Sequence, residues 1–152
     1  MITVFCYNGK GLKKKNIEEM EKIDLSKKEK EKKWILVTNI NKIEAELLSK
    51  KTNLHPTTIE DFLSPNARIK YEEQENYTLI IFRSIKKITS SHIKTEKISI
   101  IFGESAIITV CDGEEPKIES LINNEAKIKN LFSKNIHFIG HYILDKEIDQ
   151  IT

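Results

Sequence analysis

"NYTLIIFRSIKKITSSHIKTEKISIIFGESAIITV", Asn76–Val110, contains three strand-like runs: Asn76–Ile85, His92–Gly103 and Ser105–Val110. Each is rich in β-branched and aromatic residues, and only short polar breaks, Ser90-Ser91 and Gly103-Glu104, divide them. Connections this short join antiparallel neighbours, because a parallel crossover needs a dozen residues or more. Upstream, "ITVFCY" (Ile2–Tyr7) ends at Asn8-Gly9 and predicts a first strand, and "WILVTN" (Trp34–Asn39) predicts a second. Ile43, Leu47 and Leu48 then recur at helical spacing, with Asn39 or Asn41 available as the cap and Glu44 and Glu46 near the positive end. Downstream, Ile118, Leu121, Ile122, Ala126 and Leu131 predict a helical region, and His137–Thr152 is helical again. The expected fold is α/β, with an α+β-like mixed sheet carrying packed helices in one domain over 1–152.

The 25 basic residues against 23 acidic ones leave a formal charge of +2, too small to imply a polyanionic partner by itself. The distribution is uneven. Lys10–Lys33 holds ten lysines against six acids, leaving fifteen basic and seventeen acidic groups elsewhere. That segment has no aromatic residue on which a base could stack, so it predicts a solvated loop or loose helical insertion and no nucleic-acid partner. Cys6 and Cys111 sit singly in apolar runs and read as small buried hydrophobes in a reducing cytosol. Apolar runs such as "WILV" and "LIIF" fall far short of the roughly 20 residues that cross a bilayer, so the polypeptide as it stands is expected to be soluble. The final helix meets Thr152 without Gly, Pro or a cationic last turn, the pattern of a helix cut in its middle.

Two acidic stretches carry candidate chemistry. In "HPTTIEDFLSP" (His55–Pro65), Pro56 suits a first helical turn and Thr57–Glu60 matches a capping box. Ile59, Phe62 and Leu63 predict the buried face, turning Glu60 and Asp61 to solvent as a cap and its dipole-favoured neighbour, or as part of a cation site. In "HFIGHYILDKEIDQIT", His137, His141, Asp145 and Asp149 follow at intervals of four along one helix side. Imidazole–carboxylate pairs so spaced suit zinc, nickel or cobalt, and carboxylates alone suit magnesium or calcium. The 3.6-residue period lets at most two neighbours share an ion, and taken alone the column reads as a polar helix face rather than a transition-metal site.

"LHPTTIEDFLSPNARIKYEEQENYTLIIFRSIKK" (Leu54–Lys87), followed by "EKISIIFGESAIITV" and "HYILDKEID", resembles the cytoplasmic N-terminal domain of the CorA family of magnesium and cobalt channels. The order and spacing of these motifs hold from Trp34 to Asp149, with Thr57 in place of the usual leucine and Ile69 in place of a frequent proline. The Gly-Met-Asn pore signature, both membrane helices and most of the stalk helix are absent from this sequence.

The resemblance implies an αβα sandwich leading into a stalk helix that starts at 137–152. It also implies identical subunits assembled as a pentamer at the cytoplasmic face of the cell membrane, joined to it only through segments missing here. Divalent ions, Mg2+ first and Co2+ or Zn2+ as alternatives, would bind between subunits. Asp61 matches an acid facing a neighbour's stalk carboxylate, and Glu60 and Asp145 match acids of a second ion position, with Asp149 one turn further as a secondary candidate. Mg2+ between such carboxylates would favour the closed state, and the isolated domain would bind it weakly and stay monomeric or weakly associated. The expected role is regulatory and not enzymatic. A domain of a related zinc transporter and a freestanding interaction module of the same fold are the alternatives.

Overall fold

The computed structural model describes residues 1–113 and 115–151, and of 86–88, 117 and 146–151 the backbone alone. Its seven strands are β1 (Ile2–Tyr7), β2 (Leu12–Lys15), β3 (Lys32–Thr38), β4 (Lys70–Glu73), β5 (Thr78–Thr89), β6 (His92–Phe102) and β7 (Ala106–Cys111). They form one sheet in the order β2-β1-β3-β7-β6-β5-β4. Only β3 and β7 pair in parallel, and every other neighbouring pair is antiparallel. The helices are α1 (Lys42–Lys51), α2 (Pro56–Leu63), α3 (Pro116–Ile122), α4 (Glu125–Lys134) and α5 (His137–Ile151).

Strand alternation divides the apolar residues between two layers. Ile35, Val37, Ile81, Ile101, Ile108 and Val110 face α1 and α2, together with Leu48 and Phe62. Trp34, Leu36, Ile98, Ile100 and Ile107 face α3–α5, together with Leu121, Ile128, Phe132, Ile139 and Ile143. The sheet is therefore covered on both sides, as an αβα sandwich, and all six residues of β7 are buried at its centre. Cys6 and Cys111 are buried free thiols, and burial pushes the Cys6 thiol up to about 11, which keeps it protonated near neutrality.

Several local expectations change on contact with the tertiary structure. The Lys10–Lys33 segment is neither a loose helix nor merely a solvated loop. It supplies β2 to the sheet edge and buries Ile17, Ile23 and Leu25 in the α1–α2 layer. The backbone N–H of Ile23 donates to the Lys51 carbonyl at 2.7 Å, and that of Leu25 donates to Asn53 Oδ1 at 2.9 Å. Helix α1 is capped by Asn41 in a full capping box with Glu44, but its buried residues are Ala45 and Leu48, while Ile43 is 78% exposed. The region after Pro116 is two helices. Asn124 accepts from the Lys127 N–H as the cap of α4, ending the continuous register, and Ala126 lies on the exposed side.

Gly140 marks where α5 crosses β6. A Cβ built there would run into the Phe102 ring. Gly140→Ala is therefore expected to force ring and helix apart at a cost of about 1–3 kcal/mol. Urea unfolding of the variant checks it, and a midpoint unchanged from that of the parent chain would show that the ring yields freely.

Candidate functional site

Helix α2, which carries Glu60 and Asp61, has eight residues, too short to persist on local interactions alone. From within, the C-terminal end has the Ser64 N–H bond to the Glu60 carbonyl at 3.0 Å, and neither end has a side-chain cap of its own. His55 is the N-cap and makes no side-chain cap bond, so the helix starts at Pro56 and the capping box expected between Thr57 and Glu60 is not the one used. The Tyr77 hydroxyl, from the residue preceding β5, serves that end instead. It accepts from the His55 N–H at 3.1 Å and lies 2.6 Å from Thr58 Oγ1. Thr58 is accordingly buried with Phe62, whereas Leu63, expected on the inner face, is 39% exposed.

The C-terminal end has no basic residue in its last turn, and the sheet provides the positive charge. Lys97 of β6 is fully buried and its ammonium donates to the carbonyls of Asp61 at 2.5 Å, Phe62 at 3.1 Å and Ser64 at 2.5 Å. Arg83, directly opposite Lys97 in the β5–β6 register, donates from Nη2 to the carbonyls of Pro65 at 2.7 Å and Ala67 at 2.9 Å. Five carbonyl oxygens of one turn thus rest on two cationic side chains. Burial draws the Lys97 ammonium below the ordinary lysine range, and the Asp112 carboxylate, 3.7 Å away, opposes that shift.

Asp61 is partly buried, and its Oδ2 lies 2.5 Å from Nζ of Lys70 on β4. The same ammonium lies 2.9 Å from Oε1 of Glu72. The hydrogen bond to Asp61 raises the Lys70 pKa, and the bond from Lys70 lowers that of Glu72. Glu60 is exposed, and so is Asp145 on α5. These two acids belong to helices on opposite faces of the sheet, so one chain does not bring them together. The side chain of Asp149 lies outside the described residues. Among the described residues no group of three or more His, Cys, Asp or Glu is placed to hold a metal ion.

The histidine column is occupied differently. His137 Nε2 is 2.7 Å from the Gly103 carbonyl, and the rings of His137 and His141 lie against Phe102 with centroids 5.7 and 5.5 Å away. A chelate between the two histidines using Nε2 of His137 would first have to break the Gly103 bond. Sequence reasoning gave no role to Lys70, Lys97, Arg83 or Tyr77. The alternation of Lys97 and Ser99 with Ile98 and Ile100 reads as a polar strand side, so the burial of Lys97 leaves no signal in the sequence.

No helix among the described residues is long and apolar enough to cross a membrane. The chain is 34% identical over 64 residues to the manganese resistance protein MNR2 of Saccharomyces cerevisiae, a match over 42% of this chain and 7% of that protein. Its fold superposes on the complete structure of the CorA magnesium transporter from Methanocaldococcus jannaschii with a TM-score of 0.73 and 19% identity, covering 97% of this chain and 44% of that one. The ZntB cytoplasmic domain from Vibrio parahaemolyticus matches with a TM-score of 0.61 and 13% identity, over 84% of this chain and 51% of that one. This chain thus spans about half or less of the proteins it resembles. The CorA-like Mg2+ transporter protein model matches residues 29–152, so the chain belongs to that family.

Proposed function

We propose that this chain is the cytoplasmic, divalent-cation-sensing domain of a CorA-type magnesium or cobalt transporter built from identical subunits, most simply a pentamer. Mg2+ would bridge Asp61 of one subunit to a carboxylate of its neighbour, and Glu60 would form a second position with Asp145 of another copy, Asp149 being a secondary candidate. The observation that carries this reading is the separation of the acids. Glu60 and Asp61 stand on the α2 face of the sheet and Asp145 on the α5 face, so an ion held by both groups has to be shared between two chains.

Carboxylates brought together by two subunits repel, and a hydrated divalent ion between them cancels the repulsion. Mg2+ keeps several of its waters and takes one or two carboxylates, which suits acids that stay near the surface. Binding only in the symmetric arrangement shifts the population toward it, and loss of the ion releases it. High Mg2+ inside the cell would thereby close the pathway.

The test is Mg2+ flux through the full-length protein in vesicles, with the concentration of Mg2+ on the domain side varied. Asp61→Asn should raise the half-inhibiting concentration at least about fivefold. An unchanged inhibition curve would remove Asp61 from the sensor and the reading with it.

A further inference from the structure

We propose that Lys70 is a resident competitor for the divalent ion at Asp61, its ammonium filling the space between Asp61 and Glu72 that a metal would otherwise bridge. The proposal rests on the reading of Asp61 as a sensing residue, and adds Glu72 as a ligand in waiting and Lys70 as the group that sets the threshold.

The geometry is that of a cation already in place. Lys70 and Glu72 are two residues apart on β4, so they share one side of the strand, and Asp61 meets them from α2. The ammonium is 2.5 Å from one carboxylate and 2.9 Å from the other. It has three donors and no lone pair, so it satisfies both acids while offering a metal nothing. A divalent ion placed between the same acids would stand beside a positive charge, and each would raise the free energy of the other.

Exchange proceeds by displacement. Lys70 is 29% exposed, and its four-carbon stem lets it swing to water when the stronger charge of a divalent ion takes over. A monovalent ion brings no more charge than the ammonium it would replace, so the arrangement discriminates by valence. The vacated site contains Asp61 and Glu72 before any neighbouring subunit adds to it.

The experiment is a titration of the 152-residue chain with MgCl2 at constant ionic strength up to about 20 mM, following the backbone amides of α2 and β4. Parent, Lys70→Met, Lys70→Arg, Asp61→Asn and the Lys70→Met/Asp61→Asn double variant are compared, each checked for an unchanged circular dichroism spectrum. Lys70→Met should lower the half-saturating Mg2+ about tenfold, Lys70→Arg should leave it near the parent value, and the double variant should lose the response. Equal responses in parent and Lys70→Met, both lost with Asp61, would overturn the competitor role while leaving Asp61 as a metal ligand. A response in Lys70→Met that survives Asp61→Asn would overturn the competitor role, because Asp61 would then not be the ligand that Lys70 withholds. No Asp61-dependent response in Lys70→Met up to the highest concentration would overturn the competitor role alone, since intersubunit sensing is judged by the flux assay.

Discussion

Lys97→Met should destabilise the chain by about 3–5 kcal/mol, in the range for removing one member of a buried charged network. Methionine keeps the length and apolar stem of lysine, so the strand and its packing stay intact and the ammonium alone is lost. What remains is the end of α2, with the carbonyls of Asp61, Phe62 and Ser64 deprived of a donor beside a fully buried position, and the Asp112 carboxylate without its ammonium. An orphaned buried acceptor costs about 1–3 kcal/mol, and partial hydration of the three keeps the total below a simple sum. The opposing consideration is that burying an ammonium is itself unfavourable, and replacing both sides of a buried ion pair by apolar groups is often neutral. Here only one side is replaced, because main-chain carbonyls cannot be mutated away. The urea midpoint measures the loss, and amide exchange over residues 61–67 should accelerate most. A loss below about 1 kcal/mol would mean that water already satisfies those carbonyls and that Lys97 does not hold the turn.

That turn also shows why the sequence discloses some elements and hides others. The β5–β6–β7 meander, β1 and β3 are legible because runs of apolar and β-branched residues are punctuated by Gly, Ser and Asn, and β-turn chemistry is local. Helix α1 is legible for the same reason, since Asn41 and Glu44 lie three residues apart and cap each other. Edge strands β2 (LKKK) and β4 (KYEE) are four residues long and polar, so neither length nor periodicity distinguishes them from loop. In Lys10–Lys33 the abundant lysines mask three isolated apolar residues whose burial depends on α1, which begins seventeen or more residues further along the sequence.

For the candidate site the limit has the same origin. The positions of Glu60 and Asp61 on the outer side of α2 follow from helical spacing, and Glu60 is exposed as that spacing requires. The partner of Asp61 does not follow, because α2 and β4 meet only when the chain between them turns over Arg83. Tyr77 and Lys97 act on α2 from nineteen and thirty-three or more residues away, so neither appears in any local motif. A short helix whose ends are both closed by distant side chains is read correctly as a helix and incorrectly in its caps.

Trp34→Ala is expected to cost about 3–5 kcal/mol and to act chiefly on the layer that seats α5. Trp34 is fully buried, stacks on Phe5 with centroids 5.0 Å apart, and donates from Nε1 to Thr109 Oγ1 at 3.0 Å. Alanine removes the ring, the stack and the donor together, while Trp34→Phe keeps an aromatic and loses the hydrogen bond, so its cost should be smaller, about 1–2 kcal/mol. Since Trp34 is the sole tryptophan, circular dichroism in urea is the measurement that follows both variants. Trp34 faces α3–α5, the layer containing Ile139 and Ile143 and hence the helix that carries Asp145. Helix α2 lies on the other face and is held by Tyr77, Lys97 and Arg83. Below the global unfolding limit, amide exchange in α5 should therefore quicken more than exchange in α2. Equal loss in both helices would show that the two layers open as one unit.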